Sequence, residues 1–260
     1  MTANETIENP SEAKRVRVVS LYPNVVTEKS IIEKIHNLVK ARRGGYVCFS
    51  TVHMVMESYD DAKYGERVNA ADLIVPDGMP LVWMQKWQGA KEATRVRAND
   101  LMIALCAYAE RNYLTVGFYG GKQPVIDAIQ KRAAKDFPKL KIAYAFSPPF
   151  RPLTEAEDAE ITAEINRAQP DILFMGLGCP KQENRMSAHR DKTKAIMLGV
   201  GASFDFFAGN VKESPEWLGG LGLEWLFRLT QEPKRLWRRY LILNPRFMRL
   251  AARQLISSRK

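Results

Sequence analysis

Asp77 is the side chain in this 260-residue sequence best placed to do chemistry. It follows a short apolar run, Asp72-Leu73-Ile74-Val75, and stands between Pro76, which sets a turn, and Gly78, which permits backbone angles closed to other residues. Ligands in open α/β sheets bind beyond the carboxyl ends of strands, so a carboxylate there faces the crevice. The competing use is a cap on a helix starting at Met79, and on local sequence that is the commoner one. Arg95 and Arg97, beside Asn99-Asp100, could clamp phosphate oxygens; surface charge next to an Asn99 or Asp100 cap is the simpler account. Lys181-Gln182-Glu183 opens a helix after Gly178-Cys179-Pro180, where Gln182 could hydrogen-bond a sugar or base, or serve only as a helix start.

Other chemistries lack their residues. His36, His53 and His189 share no ligand spacing, and no Asp-x-Asp is present to hold a divalent cation on a diphosphate. No metal and no cofactor are therefore expected, and positive side chains and helix ends would have to neutralise an anionic leaving group. Cys179 sits at a helix start but has no histidine nearby in sequence, which argues against a nucleophile.

The elements that must hold these residues centre on Asp171 to Gly209. There the apolar runs Ile172 to Met175 and Ala195 to Val200 meet Gly176-Leu177-Gly178 and Gly199-Val200-Gly201. Short apolar runs that alternate with helical stretches mark buried parallel strands, and glycines after them let backbone N–H groups approach a phosphate. The dinucleotide fingerprint is not met, because Lys181 and Phe204 stand where its third glycine belongs. Earlier runs at Val16 to Leu21, Tyr46 to Phe49, Asp72 to Val75, Leu114 to Tyr119 and Lys141 to Phe146 also read as strands. Helical spacing connects them, as in Glu28 to Ala41. The expected class is α/β, a Rossmann-like, doubly wound, mostly parallel sheet with a helical basic C-terminal appendage. Residues 1–14 read as a disordered tail, 15–220 as the α/β domain and 221–260 as the appendage, with helix breaks at Gly219-Gly220, Pro233 and Pro245.

The net charge of +10 is concentrated at the C-terminal end. From Arg228 onward, Arg235, Arg238, Arg239, Arg246, Arg249 and Arg253 are interleaved with Trp237, Leu241, Phe247 and Met248. A basic amphipathic helix of this kind suits an anionic membrane surface; equally, it could pack on its own core with a solvated basic face. Nucleic acid would account for the charge but not for so many large apolar residues. Three scattered cysteines suggest a reducing compartment, the N-terminus has no apolar signal-peptide run, and no stretch is long enough to span a bilayer. The chain is expected to be soluble or peripheral.

Taken together and in order, Thr51-Val52-His53, Ala71-Asp72-Leu73-Ile74-Val75-Pro76-Asp77-Gly78-Met79-Pro80, Arg95-Val96, Phe118-Tyr119-Gly120-Gly121, Gly176-Leu177-Gly178-Cys179-Pro180-Lys181-Gln182-Glu183 and Gly199-Val200-Gly201-Ala202-Ser203-Phe204-Asp205 resemble the WecG/TagA/CpsF family, glycosyltransferase family 26, over about residues 15–245. The resemblance implies an inverting, metal-independent hexosyltransferase that moves a sugar from a UDP-sugar to a polyprenyl-diphosphate-linked saccharide in surface polysaccharide or exopolysaccharide synthesis. Such an enzyme is cytoplasmic and peripheral on the inner face of the cell membrane. The resemblance makes Asp77 the catalytic base rather than a cap, with Thr51 beside it and Arg95 at the donor diphosphate. Gln182 falls in the donor pocket, and His53, Gly78, Gly120, Gly178, Lys181 and Gly201 join the substrate-binding set. Arg228, Arg235, Arg238 and Arg239 correspond to the appendage that holds the enzyme at the membrane and closes over the site.

Two departures stand out. The family often has Thr-x-Asn where this chain has Thr51-Val52-His53, and Arg-Val-x-Gly where it has Arg95-Val96-Arg97-Ala98. The implied donor sugars are N-acetylmannosamine, its uronic acid and glucose, and His53 in place of asparagine points to a sugar without an N-acetyl group. The alternatives to an enzyme are a catalytically silent UDP-sugar-binding regulator and a basic nucleic-acid-binding protein. Homo-oligomerisation is left open.

Overall fold

The computed structural model describes residues 14–215, 218 and 222–257. The disordered tail expected over 1–14 therefore lies, apart from Lys14, outside the described residues, as do the Gly219-Gly220 break and the 220/221 boundary.

Six strands form one sheet in the order β2-β1-β6-β5-β3-β4. They are β1 (Gly45–Ser50), β2 (Leu73–Pro76), β3 (Thr115–Gly120), β4 (Lys141–Phe146), β5 (Ile172–Gly176) and β6 (Ile196–Gly199). Every pairing is parallel, so the sheet is all-parallel rather than mostly so. All six residues of β1 are buried, as a strand covered on both faces requires. On one face α1 (Glu28–Ala41), α5 (Ala98–Arg111) and α6 (Gln123–Asp136) bring Ile31, Leu101 and Ile126 onto Val47, Phe118 and Phe174. On the other, α2 (Val52–Asp60), α3 (Ala62–Asn69), α7 (Glu155–Ala168) and α8 (Lys181–His189) bring Val55, Tyr64, Ile161 and Met186 onto Cys48, Ile74 and Met197. β1, β6 and β5 lie side by side, which gathers their carboxyl ends at one rim.

The strand expected at Val16 to Leu21 is not part of the sheet. The segment turns back at Val19-Ser20, with Val19 at a φ of 58°, and Val18 and Leu21 exchange both backbone hydrogen bonds. Its β-branched residues are buried, so the pattern recorded burial rather than sheet pairing.

The C-terminal arm runs through helices Glu224–Gln231 and Pro233–Arg238, a π-helical turn Arg239–Leu243 and a last helix Asn244–Ser257. Pro233 starts a helix, and Pro245 sits in the first turn of the last one, directly after the π turn. Proline cannot donate to the preceding turn, and widening that turn accommodates it. Leu236, Phe247 and Ala251 are buried, and the latter two belong to the core of the α/β layers. Trp237, Leu241 and Met248 are exposed. The arm's apolar residues thus divide between the core and the surface.

Candidate active site

Asp77 leaves the end of β2 with its backbone pinned to the neighbouring strand: Asp77 N and Gly78 N both donate to Ser50 O, at 2.9 and 3.3 Å. It does not cap the next helix. The N-cap of α4 (Met79–Trp87) is Gly78, which has an ordinary extended backbone (φ −98°), and no side chain caps that helix. The unusual backbone expected of Gly78 is therefore absent, because Pro76 and the two bonds to Ser50 already set the turn. The Asp77 carboxyl is left facing a cleft. Burial pushes its pKa above the ordinary range; the nearby Arg95 opposes that shift and Glu224 adds to it.

Arg95 embraces this turn. Its Nε donates to Asp77 O at 2.6 Å, and its Nη2 lies 3.9 Å from Asp77 Oδ1 and 2.6 Å from Glu224 Oε2. Arg97 reaches the same arm: Nη2 is 3.3 Å from Glu213 Oε2 and 3.6 Å from Glu224 Oε1. Neither arginine is a solvated surface charge. Sequence reasoning missed Glu213 and Glu224, whose partners lie more than a hundred residues away. Nothing in their own stretches of sequence marks them.

A cavity of about 1110 Å³ opens over the carboxyl ends of β1, β5 and β6, roofed by the arm. Its sheet-side wall holds Gly178, Gly201 and Gln182. Gly178 has a φ of 79°, where a side chain would be strained, and its backbone turns the strand end into α8. Gln182 is buried and its amide is fully committed: Oε1 accepts from Gly178 N at 3.1 Å, while Nε2 donates to Glu183 Oε1 at 2.7 Å and to Gly199 O at 2.8 Å. Its part in this structure is to tie the two glycine loops together, not to present a free amide. Glu183 beneath it also accepts from Tyr64 Oη at 3.1 Å, and burial raises its pKa.

The opposite wall is cationic, with Arg228, Arg235, Arg238 and Arg239 all lining the cavity. Arg239 Nη2 donates to Thr51 Oγ1 at 3.1 Å, and burial lowers its pKa. Arg228 lies over the Phe206 ring at 5.3 Å, and its Nε has no hydrogen-bond partner among the described residues. Arg235 pairs with Glu232, and Arg238 is exposed. His53 lines the cavity beside Thr51, with Nε2 3.2 Å from Glu57 Oε1 and Nδ1 without a partner among the described residues. Burial, helped by the Arg239 charge, drives its pKa down to about 4, so the ring is neutral at pH 7.

A second cavity, about 130 Å³, adjoins the first. Thr51, His53, Asp77, Glu224, Arg228 and Arg239 border both, while Gly78, Arg95, Trp225 and Tyr240 border the second alone. Two expected residues lie elsewhere. Lys181 is exposed and off the cavity wall, because α8 turns it outward. Gly120 is buried between strands, where a Cβ would come within 2.6 Å of Gly176 C, so it serves close packing. Among the described residues no three His, Cys, Asp or Glu side chains gather as a metal ion would need.

A family model described as glycosyl transferase WecG/TagA/CpsF family matches residues 16–260. The chain is 33% identical over 183 residues, 70% of its length, to 69% of an N-acetylglucosaminyldiphosphoundecaprenol N-acetyl-beta-D-mannosaminyltransferase of Bacillus subtilis. It is 32% identical over 200 residues to a protein of the same name from Bacillus spizizenii, covering 76% of each chain. A third of that name, from Staphylococcus aureus, is 26% identical over 236 residues and matches across 90% of this chain and 91% of its own.

Proposed function

The chain belongs to the WecG/TagA/CpsF family of glycosyl transferases, and from that premise we propose that it transfers a sugar from a UDP-sugar to a polyprenyl-diphosphate-linked saccharide, with inversion and without a metal. The relatives' names make N-acetylmannosamine the first donor sugar to test and lipid-diphosphate-linked N-acetylglucosamine the first acceptor. The uronic acid of N-acetylmannosamine follows, and glucose, which has no N-acetyl group, is the donor for which His53 in place of asparagine argues.

The observation that carries this reading is the Asp77 carboxylate, held at the end of β2, unused as a cap, and shared by two adjoining cavities. Asp77 takes the proton from the acceptor hydroxyl as that oxygen forms its bond to the anomeric carbon. The bond to the UDP oxygen breaks on the opposite face, and Arg95 with the arginines of the arm receives the departing charge. A raised pKa makes Asp77 a stronger base than a solvated aspartate. No helix among the described residues is long and apolar enough to cross a membrane. The exposed Trp237, Leu241 and Met248, set among Arg238 and Arg249, support peripheral binding to the anionic inner face of the cell membrane, beside a lipid-linked acceptor.

The test is transfer from UDP-N-acetylmannosamine, its uronic acid and UDP-glucose to a lipid-diphosphate-N-acetylglucosamine acceptor, with and without Asp77→Asn. Loss of general-base catalysis lowers turnover by roughly two to four orders of magnitude, with UDP affinity close to that of the wild type. A fully active Asp77→Asn enzyme would overturn the assignment.

A further inference from the structure

Glu224 stands between two arginines at the edge of both cavities. Its two carboxylate oxygens are divided between two guanidinium groups, Oε2 at 2.6 Å from Arg95 Nη2 and Oε1 at 3.6 Å from Arg97 Nη2. A phosphate presents neighbouring oxygens to paired arginines in the same way. The side chain is only 15% exposed, and it borders both cavities beside Asp77. Its departure would leave Arg97 paired with Glu213 and Asp100, but would leave Arg95, among the described residues, with the Asp77 main-chain oxygen and a carboxylate 3.9 Å away. On the other side, Arg228 Nε has no hydrogen-bond partner among the described residues. The site therefore has cationic capacity beyond the carboxylate that now fills part of it.

We propose that Glu224 holds the place of the donor's sugar-bearing phosphate on Arg95 and Arg97, and that a diphosphate binds by exchanging with it. Being tethered, this carboxylate competes at high effective concentration, and a ligand displaces it only by bringing more charge to the same arginines. A linked diphosphate does so, because its second phosphate also meets the Arg228 side of the cavity. Glu224 is thus a specificity-determining residue, one that makes affinity depend on the phosphates rather than on the nucleoside. This rests on the reading that the cavity takes a nucleoside diphosphate.

Calorimetry on the full chain with UDP, inorganic diphosphate and uridine separates the possibilities. Glu224→Gln keeps the shape and removes the competing charge. It is expected to tighten UDP and diphosphate by about tenfold, within the 5- to 150-fold range of typical coupling between sites, and to leave uridine unchanged. Glu224→Asp shortens the reach to both arginines and gives an intermediate gain, which preserves the test if the glutamine variant folds poorly. A residue that merely braces Arg95 and Arg97 predicts the opposite sign, so unchanged or weaker UDP and diphosphate binding in both variants overturns the proposal. If the wild type binds diphosphate but not UDP, the nucleotide-donor reading fails while the exchange is still decided by the diphosphate arm.

Discussion

On the sheet side of the large cavity the polar atoms are spent. Gln182 satisfies Gly178, Glu183 and Gly199 at once, and Glu183 is closed off by Tyr64. On the arm side they are not. Arg228 Nε and His53 Nδ1 have no hydrogen-bond partners among the described residues, and Asp77 keeps a carboxyl that burial raises in pKa. The first wall is held by buried groups whose hydrogen bonds close on one another, most of them between residues 178 and 199. The second is held by charged groups that find their partners far along the chain, as Arg95 does in Glu224 and Arg239 in the Thr51 hydroxyl. The lesson is a division of labour: the glycine loops supply a rigid floor, and the charged wall supplies the chemistry.

Substitutions on the two walls should then fail in different ways. The largest effect is expected at Asp77→Asn, where turnover falls by about two orders of magnitude or more while the urea midpoint stays put. A variant that unfolded would erase the contrast. In the wild type the acid limb of kcat/KM should lie above the ordinary aspartate value of 3.8. Asp77 works only when ionised, so activity is lost as pH falls through its raised pKa, and a pH–rate profile reads that limb directly. Next comes Arg239→Ala, which removes a charged hydrogen bond from the arm and should raise KM by roughly ten- to a hundredfold, the kinetic equivalent of ~1.5–3 kcal/mol, with little change in melting temperature. On the sheet-side wall, Gln182→Ala strands buried donors and acceptors. It should cost about 2 kcal/mol of stability in denaturant titration and leave turnover per folded molecule near that of the wild type.

The smallest effect is expected at His53, which borders both cavities. Its folded pKa of about 4 lies below the ordinary 6.5. The neutral ring therefore stabilises the fold above the ordinary value, and that contribution is lost as pH falls through the window between the two. Lowering the pH from 7 to 5.5 should cost about 1 kcal/mol, less whatever the neighbouring Glu57 carboxylate returns, and His53→Gln should flatten that slope. A stability curve that did not change between the two proteins would put the orphaned ring nitrogen in contact with water.

How much of this was legible in the sequence follows the same division. Buried parallel strands announce themselves as short apolar runs between helical stretches, and all six, with the arm's helical character, could be read directly. Val16 to Leu21 could not be told from a strand, because burial and β-branching look alike whether the partner is a sheet or the chain's own return. The order of the strands was not legible, since parallel neighbours are set by crossovers rather than by local pattern. At the site, Asp77 stood out through Pro76 and Gly78, although Gly78 turned out to matter for capping rather than for an unusual φ. Gln182 read as a ligand contact because its position at the mouth of α8 is visible in sequence, while the three internal bonds that occupy it are not. Glu213 and Glu224 were passed over because their meaning depends on arginines more than a hundred residues away.

The position of Asp77 between two adjoining cavities has a consequence for traffic through the protein. A single group that fronts two rooms lets what it serves arrive, and depart, by different doors. On the proposed reaction, the spent nucleotide would not have to file out past a bulky greasy product, and neither departure would set the pace of the other.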